Sequence, residues 1–312
     1  MKTILKTYIA VAATGLLLGS TGSEALSAYA LANNGTTLIT FDLATPGVTT
    51  AVGTFSGATE RLDGIDFRPL NGLLYGYSQL DNAIVTIDLN TALTTLAATP
   101  TTGSTTRTLG IDFNPAADRL RVVNVDDQNL RVNLGTSAAT VDGVLAYAAG
   151  DPNVGVNPRI VEAAYTNSDT NPLTATTLFY IDSALDILVR TANPNAGVLN
   201  TVGALGFDTS DLTGFDILSD GLGDNVAYAL LTAQSGTAGL FTINLATGAA
   251  TLLGEISQSA GARPFSLALV PSVPEPGTLL LIGFALAGVG LSRRARAAAA
   301  AVERAHAAAA AV

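Results

Sequence analysis

Between residues 26 and 270 the apolar positions of this chain recur every second residue in short runs rich in Val, Ile, Leu, Thr, Tyr and Phe. The runs are bounded by Asn-Gly, Asp-Asp, Thr-Gly and Asn-Pro pairs. A period of two with turn residues at the ends predicts strands joined by tight turns rather than helices. One stretch predicts four antiparallel strands over Ile65–Arg68, Leu73–Ser78, Ile84–Leu89 and Leu93–Ala98. The next predicts four more over Ile111–Asn114, Arg119–Asn124, Leu130–Leu134 and Val144–Ala148.

These stretches are copies of one unit. Gly64-Ile65-Asp66-Phe67-Arg68-Pro69 returns as Gly110-Ile111-Asp112-Phe113-Asn114-Pro115, with weaker copies at Ala163-Ala164-Tyr165, Gly214-Phe215-Asp216-Ile217 and Pro264-Phe265-Ser266-Leu267. The third position falls at 66, 112, 164, 216 and 266, so the period is close to fifty residues. A second marker, Phe41-Asp42-Leu43, Ile87-Asp88-Leu89 and Ile243-Asn244-Leu245 among its copies, repeats nearly in step. Four strands per repeat at this period describe a propeller blade. The third unit runs from about Arg159 to Leu205 and the fourth from about Leu212 to Ile256. Residues 28–55 supply only the last three strands of a unit, and Arg263 to Leu269 only a first. The expected fold is therefore all-β, a five-bladed β-propeller closed by pairing N- and C-terminal strands, which removes the exposed sheet edges of an open array. An open β-solenoid, the alternative, would want shorter, more uniform repeats with capping units.

Composition narrows the chemistry. The chain has no Cys and no Trp, and its single histidine, His306, lies in an alanine-rich tail, so cysteine and histidine mechanisms and cysteine-ligated zinc lose their central residues. Residues 26–270 carry nine Arg and no Lys against 22 acidic residues, a net charge of −13, which disfavours nucleic acid and anionic lipid as partners. No GxGxxG precedes a helix, so no nucleotide cofactor is expected.

The two ends read as addresses. Lys2 and Lys6 precede an apolar stretch from Tyr8 to Gly19, and Ser23-Glu24-Ala25 offers a cleavage site, so residues 1–25 have the pattern of a signal peptide. At the other end, residues 271–296 hold Val273-Pro274-Glu275-Pro276-Gly277, an apolar run over 278–291 expected as a membrane helix, and a basic cluster, Arg293, Arg294 and Arg296, expected to stay on the cytoplasmic side. This order resembles the PEP-CTERM sorting signal of Gram-negative bacteria. The resemblance implies recognition of Pro274, Glu275 and Pro276 by an exosortase, transient inner-membrane anchoring, and delivery to the envelope surface or exterior. The alanine-rich extension over 297–312 departs from that pattern and has no assigned role. The body, roughly residues 28–270 of the 26–270 domain, resembles a family of uncharacterised secreted bacterial domains with tandem GIDFxP and NPxADRLRV segments, here Gly64–Pro69 and Asn114–Val122, with Gly197–Gly206 as a further matching stretch. That family brings no activity or ligand with it.

Candidate chemistry rests on carboxylates. Asp66, Asp112 and Asp216, from the third position of three units, would stand at one height around the axis, with Ala164 and Ser266 completing the ring. Three such carboxylates with waters are a candidate Ca²⁺ site; alternatively each accepts backbone N–H bonds and locks blade to blade. Asp66, Asp112 and Glu162 are the candidates for a carboxylate-dependent glycoside hydrolase at the propeller axis, which needs an acid and a base or nucleophile facing across a cleft. Arg119, Arg121 and Arg131 form the densest basic group, either a grip for an acidic sugar or inter-blade ion pairs with Asp118 and its neighbours. The expected role is an exported surface or matrix protein, non-enzymatic, associated with extracellular polysaccharide or another envelope protein, with the hydrolase as the alternative.

Overall fold

The computed structural model describes residues 26–169, 174–220, 223–257 and 263–271. The expected signal peptide, sorting helix, basic cluster and alanine-rich tail lie outside these residues. Along the chain come β1 (Ser27–Ala32), β2 (Thr37–Asp42) and β3 (Thr49–Thr54), then a two-residue strand, β4 (Ser56–Gly57). Blade two follows as β5 (Gly64–Arg68), β6 (Leu73–Ser78), β7 (Ala83–Ile87) and β8 (Leu93–Ala98). Blade three is β9 (Leu109–Asn114), β10 (Arg119–Asn124), β11 (Asn129–Asn133) and β12 (Ala138–Val141), followed by the short β13 (Ala146–Tyr147). Blade four is β14 (Ile160–Tyr165), β15 (Leu178–Asp182), β16 (Ile187–Thr191) and β17 (Val198–Ala204). Blade five is β18 (Thr209–Ser219), β19 (Asn225–Ala233), β20 (Ala238–Ile243) and β21 (Ala250–Glu255), and β22 (Phe265–Leu269) ends the described chain.

β22 joins the sheet of β1, β2 and β3 as its innermost strand, pairing Ala28 with Leu269 and Ala30 with Leu267. The fifth sheet is thus assembled from both ends of the chain, and the ring is a closed five-bladed propeller. Alternation assigns each strand's side chains to two different interfaces. On β6, Leu74 joins the apolar cluster shared with blade one, whereas Tyr75 and Tyr77 join the cluster shared with blade three. A cluster of this kind lies at each junction, such as Phe179 and Ile181 against Phe215 and Ile217 between blades four and five. Burial on both faces explains why inner strands read as nearly continuous apolar runs.

Two expectations need correction. Residues 144–148 do not form the outer strand of blade three; β12 does, and β13 pairs in parallel with β17 on the outer edge of blade four. β4 extends blade two in the same way, pairing with β8. The local alternation around Tyr147 is that of a strand, but only packing against Asp182, to which its hydroxyl donates at 2.6 Å, decides its blade. The second correction concerns the closing strand. Ser266 has φ 48° and sits at a register shift between Ala30 and Leu31, so a bulge displaces the residues after it. Ala268, not Ser266, takes the third position in this strand, as the hydrogen bonds around the axis show.

Candidate functional site at the propeller axis

The innermost strands β5, β9, β14, β18 and β22 meet around the axis. Asp66 accepts the N–H of Phe113 at 2.7 Å, Asp112 that of Tyr165 at 3.2 Å, and Asp216 that of Leu269 at 2.7 Å. In each bond the third residue of one strand accepts from the fourth residue of the next strand, so Leu269 corresponds to Phe113 and Tyr165. Ser266, at the first position, accepts the N–H of Ile65 at 3.0 Å and carries the link across the closing junction.

The structure brings Asp66, Asp112 and Asp216 together: one carboxylate oxygen from each lies within 4.8 Å of the others, and all three are buried. Three charges at that separation in a dry site cannot all persist. Burial first, and Asp216 second, push Asp66 well above the ordinary carboxylate range. Burial followed by Asp66 and Asp216 does the same to Asp112. Burial raises Asp216 to about 7, against the opposing pull of the Leu269 and Ile217 amides. The space beside Asp66 and Asp216, bounded also by Leu269 and Pro271, is only about 10 Å³, the scale of one water.

A larger cavity of about 310 Å³ opens at the other end, where the inner strands begin. Asp63, Leu109, Val161, Thr213 and Phe265 line it, one from each blade, each occupying the position just before the repeat's first residue. That first residue is Gly64, Gly110 and Gly214 in three blades, and Glu162 in blade four. Glu162 therefore projects a side chain where three other blades have none, at a register irregularity between Ile160 and Glu162. It lines the cavity, and burial, then the carboxylates of Asp216 and Asp66, push its pKa well above the usual range, which favours the protonated carboxyl. Of the three hydrolase candidates, Glu162 lines this cavity, whereas Asp66 and Asp112 belong to the aspartate cluster and do not line it.

The rim is built from ion pairs between blades. Arg107 donates to Asp63 at 2.8 Å, and Arg159 pairs with Asp211 through both nitrogens of its fork, with Ser183 donating to the same carboxylate at 2.8 Å. Arg263, exposed at the rim, forms no ion pair among the described residues. Thr213 is 2% exposed and its hydroxyl has no hydrogen-bond partner among the described residues. Thr213, Arg107, Asp211 and Arg263 were not legible as site residues in the sequence. The available signal was positional: the residue before each repeat's first position faces the mouth.

Elsewhere, Arg121 and Arg131 share Asp142, whereas Asp118 pairs with Arg68 of the preceding blade. Tyr75, Tyr77, Tyr147, Tyr165 and Tyr180 are buried as core, while Tyr228 is half-buried.

A family profile described as Domain of unknown function (DUF4394) matches residues 37–266, most of the propeller. A second, the PEP-CTERM protein-sorting motif, matches residues 272–294. That motif marks an exported protein and is recognised by an exosortase during membrane-associated sorting in Gram-negative bacteria. No curated protein matches the chain. Among solved structures, the chain is similar to one from a nidogen/laminin complex at 9% identity and a TM-score of 0.46, covering 78% of this chain and 98% of that one. It is also similar to a putative 6-phosphogluconolactonase from Bacteroides uniformis at 11% identity and a TM-score of 0.40, covering 74% and 82%. Hydrazine synthase from Kuenenia stuttgartiensis is similar at 13% identity and a TM-score of 0.38, over 66% of this chain; the chain spans only 49% of that structure's length.

Proposed function

Since the chain belongs to the family described as Domain of unknown function (DUF4394) and carries an exosortase sorting motif, we propose that it is a non-enzymatic binding propeller displayed at the envelope surface or in the extracellular matrix, where it holds polysaccharide. The binding site in this reading is the cavity at the mouth of the axis. The single observation that carries it is the convergence of one residue from each of the five blades, Asp63, Leu109, Val161, Thr213 and Phe265, on a space of about 310 Å³ that Glu162 also lines. The Glu162 carboxyl on the same wall, its protonated form favoured by burial, suits sugar hydroxyls, which donate and accept alike. Leu109, Val161 and Phe265 provide the apolar wall that pyranose C–H faces require.

The axial aspartates have a structural role in this reading. Each is engaged with a backbone amide of the next blade, and a space of about 10 Å³ beside them has no room for the waters that would complete a Ca²⁺ shell supplied by three carboxylates. They close the channel and clamp its blades together.

A glycan-array screen of the purified protein, with and without Ca²⁺, tests the proposal when read for both retention and cleavage. Retention of an uncut glycan, abolished by Glu162→Ala, is the expected result. Release of shortened products would overturn it in favour of hydrolysis.

A further inference from the structure

We propose that a second, smaller cavity between blades three and four is an anion site that takes the carboxylate or sulfate group of an acidic glycan. The cavity measures about 80 Å³ and is lined by Arg119 and Arg121 of β10 and Arg131 of β11, with Tyr165 and Asn195 facing them from blade four. Arg121 and Arg131 are direct cross-strand partners, so their side chains stand on one face of the sheet.

The charge around this space does not balance locally. Arg121 donates to Asp142 at 2.7 Å and Arg131 to the same carboxylate at 3.0 Å, one anion for two guanidiniums. Arg119 donates only to the carbonyl oxygens of Ala117 at 3.1 Å and Asp118 at 2.8 Å, and forms no ion pair among the described residues. The Asp118 carboxylate is taken by Arg68, whose Nε donates to it at 2.7 Å. Three guanidiniums against one carboxylate leave an excess of two positive charges in a body whose net charge is −13. Arg121 is 2% exposed, and its remaining donors go to Asn129 Oδ1 at 2.6 Å, Asn195 Oδ1 at 2.8 Å and the Tyr165 hydroxyl at 3.4 Å, neutral partners that satisfy its hydrogen bonds but not its charge.

Size selects the ligand. At about 80 Å³ the space is a quarter of that at the mouth of the axis, about 310 Å³, and suits a compact carboxylate or tetrahedral oxyanion better than a whole sugar. The planar forks favour an oxyanion over a halide. The occupant is therefore a substituent reaching in from a chain that lies on the surface, where Ala117 is exposed and Arg131 half-exposed. This site shares no residue with the mouth of the axis, and its test is independent of that reading.

Calorimetric titration of the full protein with sodium glucuronate and with sodium sulfate, at ionic strength held constant with sodium chloride, tests the inference. Saturable binding is expected, weakened about tenfold or more in Arg119→Ala and in Ala117→Asp, which sets a fixed carboxylate at the opening without touching the core. Thr213→Val should leave it unchanged. Binding of sulfate without glucuronate would support the anion site and identify sulfate esters or the free ion as its ligand. No saturable heat with either salt, or binding that both variants retain, would overturn it.

Discussion

The carboxylate of Asp216 accepts the backbone N–H of Leu269 at 2.7 Å, joining the last complete blade to the strand that closes the ring. The other oxygen of Asp216 accepts the N–H of Ile217 at 2.6 Å, so one buried side chain satisfies two amides on two strands. Replacing it with alanine strands the Leu269 amide inside the protein. Asp216→Ala should cost about 1–3 kcal/mol in urea denaturation. Asp216→Asn, which keeps an acceptor and resembles the protonated acid, should cost clearly less. Equal losses for the two variants would argue against the latch.

Stability should fall as pH rises. Asp66, Asp112 and Glu162 are held well above their ordinary values by burial and then by one another's and Asp216's carboxylates, and burial raises Asp216 to about 7. A carboxyl whose folded pKa is raised binds its proton more tightly in the native state. Its contribution is complete below the unfolded value of 3.8 for Asp or 4.5 for Glu and is lost as pH climbs through the folded value. Asp211, lowered by its pairing with Arg159, works in the opposite direction at the acid end. The urea midpoint should therefore decline between pH about 5 and about 8, and Asp216→Asn should flatten part of the decline. A midpoint that climbs over this range would contradict the protonated cluster.

Calcium distinguishes a latch from a cation site. Because each axial carboxylate is bonded to a backbone amide of the next blade and the space beside the cluster is only about 10 Å³, millimolar Ca²⁺ should leave the melting temperature at pH about 8 where Mg²⁺ leaves it. A Ca²⁺-specific rise that disappears in Asp112→Asn would establish a cation site at the axis instead.

The glycines of the repeat make a separate prediction. A Cβ on Gly110 would come within 2.4 Å of the Glu162 Cα, and one on Gly214 within 2.7 Å of the Leu267 amide nitrogen, both backbone atoms. At Gly64 the nearest atom is a methylene of the Ile111 side chain at 3.0 Å, which can turn aside. Gly110→Ala and Gly214→Ala should each destabilise by at least about 1–3 kcal/mol, the cost of overpacking, and Gly64→Ala by less. Thermal or urea unfolding of the three variants gives the order directly.

The chain by itself determined the blade count and the manner of closure, because period-two alternation and a fifty-residue repeat are local properties that survive in the linear order. The aspartate ring followed from the same repeat: Asp66, Asp112 and Asp216 share a position, and a shared position in a rotational fold becomes a shared height at the axis. Tertiary structure decided everything that depends on a neighbour distant in the chain. The bulge at Ser266 shifted the closing strand's third position to Ala268, and a two-residue edge strand moved residues 146–147 into blade four. The mouth of the axis, with Glu162 standing in a glycine's place, exists only where five strands far apart in sequence converge. The pairing of Arg68 rather than Arg119 with Asp118 likewise depends on which blade faces which. Register and ion pairing are settled by contacts across the ring, and a linear pattern carries no record of them.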